Sequence, residues 1–267
     1  MTNVAIEIDG VGSFEGFTDP DYTVSIGQNA KVVAWPEADA SAMTLVDGKI
    51  SQIADRSDNG HPAVQATAAN RPVVGVDTVN GWPLVQFGTT EWLAVADGLP
   101  PGGAFSVGIL MLRDAGSTQN FLMSSSGGTW VFSIQVTTDN RIRLTIGDGA
   151  GRSAQAQTAA SFVNGQAVYL IAAFDPVAKQ IWLTVDGGVT WLSTATSPNL
   201  GTSPAVSATP DWTSLRWGAA DIAATLGLNG QASAPLTLNV NLHDPAQSAM
   251  LDLLVEYAQT RSRLLVD

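Results

Sequence analysis

Apolar and polar residues alternate at a period of two along much of this chain, and turn dipeptides separate the runs. Residues 167–174 break the alternation by being apolar at nearly every position, which predicts a central strand covered on both faces. Asp175-Pro176 ends that strand, because proline fixes its own φ and biases the residue before it away from helix. A second strand is predicted over 180–185 and a third over 189–192. Asp186-Gly187 is the hairpin between them, since a type I′ turn needs positive φ at both central residues. Elsewhere Val4, Ile6 and Ile8 alternate with Glu7 and Asp9 as an edge strand, and Val24 and Ile26 form a second short alternation.

Further strands are predicted at 49–54, 83–87, 91–96, 105–112, 120–123, 129–136, 141–146 and 214–217. In 141–146, Ile142, Leu144 and Ile146 point inward, while Arg141, Arg143 and Thr145 point outward. In 236–242, Leu236, Leu238, Val240 and Leu242 point inward and Thr237, Asn239 and Asn241 outward. Helical periodicity occurs only in the tail, over 245–264. There Asp244 is an N-cap, Pro245 opens the helix, Gln247 completes a capping box, and Met250, Leu251, Leu254, Tyr257 and Ala258 make the apolar stripe. Nine Asn-Gly or Asp-Gly dipeptides lie between the apolar runs. Together these features predict an all-β fold, an antiparallel β-sandwich with one C-terminal helix, in a single domain. Residues 1–30 form an N-terminal strand and arm expected to return to the sandwich, 31–243 the sandwich, and 244–267 the helix packed on it. Residues 193–210, rich in Ser, Thr, Ala and Pro, read as a long surface and contact loop.

Composition narrows the function classes. The net charge of −12 disfavours nucleic-acid binding and adsorption to anionic membranes. With no cysteine, the chain has neither a disulfide nor a thiolate metal site. The first residues have no basic region followed by an apolar one, and the longest apolar run is far shorter than a bilayer span, so a soluble protein made in the bacterial cytoplasm is expected.

The order of parts resembles the concanavalin A-like lectin/glucanase superfamily, in particular its laminin-G-like jelly rolls. Trp35, then Asp47-Gly48, then Asp55-Arg56-Ser57-Asp58-Asn59-Gly60 is similar to the family's "D-x-S-G-x-G" loop, with Asp58 in place of its glycine. Arg71-Pro72 through Val85-Gln86-Phe87-Gly88, Phe105-Ser106-Val107, Val168 to Asp175 and Leu228-Asn229-Gly230 match later passages over roughly residues 31–262. Small members of this kind are often encoded among phage virion genes. The resemblance therefore implies a non-enzymatic structural protein of a phage or phage-like virion. It would be a head- or tail-attached decoration that self-associates, touches other virion proteins and contacts a host-surface glycan. A free-standing lectin and a glycan hydrolase or lyase are the alternatives.

The superfamily's glucanases carry E-x-D-x-x-E on one strand. Here Glu7-Ile8-Asp9 is followed by Gly12, so no catalytic residue is assigned. Asp55, Ser57 and Asn59 are candidate calcium ligands, but Ala66 stands where a loop of that kind places its bidentate acid. A turn held by side-chain hydrogen bonds is the competing reading, and no cofactor is assigned. The Gly-rich run 147–152 joins two predicted strands and reads as a hairpin loop. His61 and His243 each lack a second histidine at ligand spacing. Aromatic faces stack on sugars, so Trp82, Trp92, Trp130, Trp191 and Trp212 are glycan-binding candidates, with core packing as the alternative for each.

Overall fold

A computed structural model of the chain describes residues 23–79, 82–100, 103–114, 118–126, 129–147, 153–159, 162–193, 214–218 and 227–261. The alternation at Val4 to Ile8, the Gly-rich loop beyond Gly147 and most of the 193–210 loop lie outside these residues. Among the described residues, two antiparallel sheets of nine strands each face one another. The first holds β1 (Val32–Ala34), β5 (Val73–Val79), β6 (Trp82–Phe87), β8 (Phe105–Arg113), β13 (Val168–Asp175), β14 (Gln180–Thr184), β15 (Leu192–Ser193), β17 (Gly230–Ala232) and β18 (Leu236–Leu238). The second holds β2 (Met43–Val46), β3 (Lys49–Ile53), β4 (Ala63–Val64), β7 (Leu93–Val95), β9 (Gln119–Ser126), β10 (Thr129–Val136), β11 (Ile142–Gly147), β12 (Ser153–Gln157) and β16 (Leu215–Trp217).

The expected central strand is β13, and its neighbour β8 is buried along its whole length. β8 pairs with β13 on one side and with β17 and β18, end to end, on the other. Phe105 on β8 joins the two sheets, with its ring 5.4 Å from Phe174 and 5.7 Å from Phe132 across the sandwich. Phe87 meets Trp217 in the same way at 5.4 Å. Burying each such ring contributes about 1.5–3 kcal/mol. Arg113, at the end of β8, is fully buried. Its fork donates to Asn164 Oδ1 (2.8 Å), to Thr137 O (3.1 Å) and to Asn140 Oδ1, and its guanidinium lies 5.4 Å from the centre of the Phe162 ring.

The C-terminal helix α1 (Ser248–Arg261) covers the outer face of the first sheet. Gly108 on β8 makes room for it: a Cβ there would lie 2.4 Å from Tyr169 Oη and 3.3 Å from Leu254 of the helix. Trp35 and Tyr257 meet edge to face at 5.4 Å.

Several local expectations are corrected. Val24 and Ile26 lie in a helical turn, Thr23–Gly27, and Ile26 is buried. Asp47-Gly48 is the turn expected of its sequence, with φ of 53° and 74°. At Asp186-Gly187 the positive φ values fall instead on Gly187 and Gly188. The Thr184 hydroxyl accepts from Gly188 N and the Asp186 carboxylate from Thr190 N, so side chains organise a longer loop. Val189 is consequently 87% exposed, and the third strand starts only at Leu192. The capping box is also incomplete. Asp244 Oδ1 accepts from Ala246 N as an N-cap, but the first turn, Pro245–Gln247, is 3₁₀, and Gln247 Oε1 is buried with no hydrogen-bond partner among the described residues. Thr237, expected outward, is buried because its hydroxyl accepts from Ala34 N across β1 and β18.

Candidate functional site

The two outer faces of the sandwich differ. The first sheet's is sealed by α1 and the segment before it: Ser106 Oγ donates to Val240 O and accepts from Leu242 N. The second sheet's outer face is polar. Phe132 and Ile134 point into the core, so alternation sends Ser133 and Gln135 outward on β10. Leu215 and Trp217 likewise point in and Arg216 out. Pairing register then sets Arg216, Met123, Ser133, Thr145 and Gln155 in one row across β16, β9, β10, β11 and β12. The next row is Asn120, Gln135, Arg143 and Gln157.

Asn120 and Ser133 are 0% exposed, and Gln155 and Gln157 stand exposed at the rim. Gln135 Nε2 donates to Asn120 Oδ1 at 2.7 Å. Asn120 Nδ2, Ser133 Oγ and Arg143 Nε are buried with no hydrogen-bond partner among the described residues. A buried donor left unmade costs about 1–3 kcal/mol, so three on one face are unusual for a purely structural surface. None of the nine strands of this sheet contains an aspartate or glutamate, although the chain as a whole is strongly acidic. The sequence placed Arg143 outward correctly. It gave no sign of Asn120 or Ser133, whose significance lies in their missing partners.

Of the tryptophans expected to bind glycans, Trp92 belongs to this face. It directly precedes β7, and the Arg216 guanidinium caps one side of its ring at 4.7 Å. Its backbone is held by Asn70 O and Gln65 Nε2, both at 3.0 Å. Trp191 lies on the other side of the sandwich, edge-on to His243 at 5.5 Å, while Trp182 stacks on His243 at 4.4 Å. The two candidates therefore form no common platform. Burial holds the His243 imidazole below its usual pKa, against the pull of Asp244. Trp82 and Trp130 have backbones in β6 and β10, with side chains outside the described residues, and Trp212 lies outside them altogether.

The Asp55 loop is organised around one carboxylate. Oδ1 accepts from Trp35 N (2.8 Å) and Ser57 N (3.0 Å), and Oδ2 from Ser57 Oγ (2.6 Å) and His61 N (2.8 Å). Asn59 Nδ2 donates to Val32 O at 2.8 Å, fastening the loop to β1. Both carboxylate oxygens thus serve the loop itself. Among the described residues, no three His, Cys, Asp or Glu side chains converge to hold a metal ion.

No protein-family model and no curated protein matches the sequence. Solved structures do match the fold. Domain 4 of AbnA, a GH43 extracellular arabinanase from Geobacillus stearothermophilus in complex with arabinotriose, has a TM-score of 0.60 at 15% identity, over 83% of this chain and 98% of that one. Trypanosoma rangeli sialidase in complex with the inhibitor DANA has a TM-score of 0.56 at 13% identity, over 84% of this chain but only 32% of the sialidase. The binding domain of botulinum neurotoxin DC in complex with SialylT has a TM-score of 0.53 at 8% identity, over 85% of this chain and 52% of that one. The chain thus spans about a third of the sialidase's length. At these identities the likeness is one of fold, an antiparallel β-sandwich.

Proposed function

We propose that this chain is a non-catalytic carbohydrate-binding β-sandwich whose ligand seat is the outer face of the second sheet. The observation that carries the reading is the set of buried, unpartnered polar atoms on that face: Asn120 Nδ2, Ser133 Oγ and Arg143 Nε. A saccharide supplies hydroxyls that both donate and accept, so it suits a floor with amide, hydroxyl and guanidinium groups to spare. The similar structures with arabinotriose and SialylT support this reading. Against hydrolysis stands the acid-free sheet: the usual glycosidase mechanism needs two carboxyl groups flanking the scissile bond.

The test is a glycan array probed with the full chain. The expected result is retention of a defined glycan group that Ser133→Ala and Asn120→Ala both weaken. An array with no retained glycan sinks the proposal.

The sequence resemblance adds a setting: attachment to the head or tail of a phage or phage-like particle, with self-association and contacts to other virion proteins. Co-purification with intact particles tests it. Absence from them removes the setting and leaves the glycan reading standing.

A further inference from the structure

The charge of the second sheet carries the reading further. The chain has 24 acidic and 12 basic side chains, yet this sheet's strands have no acidic residue and three basic ones, Lys49, Arg143 and Arg216. Lys49 is already paired with Glu91 Oε1 at 3.4 Å, and Glu91 Oε2 accepts from Gly88 N, so the carboxylate beside Trp92 is engaged at the sheet's margin. Arg143 and Arg216 remain, half-buried on the outer face, with no salt bridge to an Asp or Glu among the described residues. A face bearing one sign of charge over a low-dielectric floor concentrates counter-ions of the other sign, here anions on an otherwise acidic molecule.

Resting on the carbohydrate-binding proposal, we infer that the ligand is an acidic oligosaccharide, its carboxylates taken by the half-buried Arg143 and Arg216. Guanidinium suits this role because its planar fork matches a carboxylate with two parallel hydrogen bonds. The spacing adds a length requirement. Arg216 pairs with Met123, Met123 with Ser133 and Ser133 with Thr145, and Arg143 lies two residues further along β11. Strand geometry therefore separates the two arginines by roughly 16 Å. One carboxylate cannot bridge them. A ligand engaging both carries acidic groups on separate sugar units, as a polyuronate does.

Titration calorimetry of the full chain with tetragalacturonate, galactotetraose, 3′-sialyllactose and lactose decides the matter. Tetragalacturonate is expected to bind at least about tenfold more tightly than the other three, and more weakly as salt rises through the screening range. Arg143→Gln and Arg216→Gln are each expected to weaken it about tenfold or more, the scale of a lost hydrogen bond to a charged group. Gln155→Glu, an exposed change that leaves the core untouched, is expected to weaken it similarly by repulsion. Neutral sugars binding as tightly as the uronate overturn this inference and leave the carbohydrate reading intact. Binding of none of the four, together with an empty array, overturns both. Sialyllactose equal to tetragalacturonate, or uronate binding unmoved in Gln155→Glu, overturns the two-arginine seat.

Discussion

Tyr257 on the C-terminal helix donates a 2.9 Å hydrogen bond to Oε1 of Glu37, a carboxylate buried 220 residues earlier in the chain. The bond fastens the helix to the segment after β1. Tyr257→Phe keeps the edge contact with Trp35 but removes a donor from a buried acid, and is expected to lower stability by about 1–3 kcal/mol. Tyr257→Ala also loses the ring, for about 3–5 kcal/mol. Urea denaturation of the three proteins measures both differences.

Arg113 is expected not to tolerate lysine. An ammonium cannot span Asn164, Thr137 and Asn140 as the fork does, and it would be buried with acceptors left over. Arg113→Lys should cost about 3–5 kcal/mol, the scale of breaking a buried charged network. A shift in the denaturation midpoint at unchanged slope is the expected signature.

For the Asp55 loop the expectation separates structure from metal. Asp55→Ala strands the Trp35, Ser57 and His61 donors and should cost about 2–4 kcal/mol, as several hydrogen bonds to a charged acceptor are lost. A cation bound only by the folded state would raise the melting temperature. Melting the wild type with calcium and with a chelator should give coincident curves, and a calcium-dependent rise would restore the metal reading.

His243 imposes a pH dependence of known sign. Its folded pKa is depressed below 6.5, chiefly by burial beside Trp182, so the unfolded chain binds its proton first. Stability should fall as pH drops below about 6.5 and level off beneath the folded pKa. His243→Asn should flatten that limb while leaving the acid limb below the ordinary carboxylate range, where Asp186 takes up its proton. Melting temperature against pH for both proteins checks this.

What the sequence made legible was local. β8, β13, β14 and the β10–β11 hairpin followed from apolar runs and alternation, and Asp47-Gly48 from turn chemistry. β12, implied by the hairpin loop before it, could not be given bounds because its inward residues, Ala154 and Ala156, are too small to mark a face. β4, of two residues, is too short to carry a period, and β2, largely exposed at the sheet's edge, has no inward and outward alternation. The buried Glu37 was invisible because its partner lies at the other end of the chain. Asn120 and Ser133 were unreadable as site residues for a related reason. A polar residue on a strand looks solvated until the fold buries it with no partner among the described residues.

The helix that seals one sheet gives the molecule a front and a back. Asp252, Glu256 and Gln259 are the exposed side of α1, and they point away from the face with Arg143 and Arg216. A dye, surface tether or fusion placed at those helix positions would hold every copy with its polar sheet toward the solution. The same attachment at Gln155 or Gln157 would blind it. Orientation becomes an experimental control: an array of molecules anchored by the helix should capture ligand, and one anchored through the rim of β12 should not.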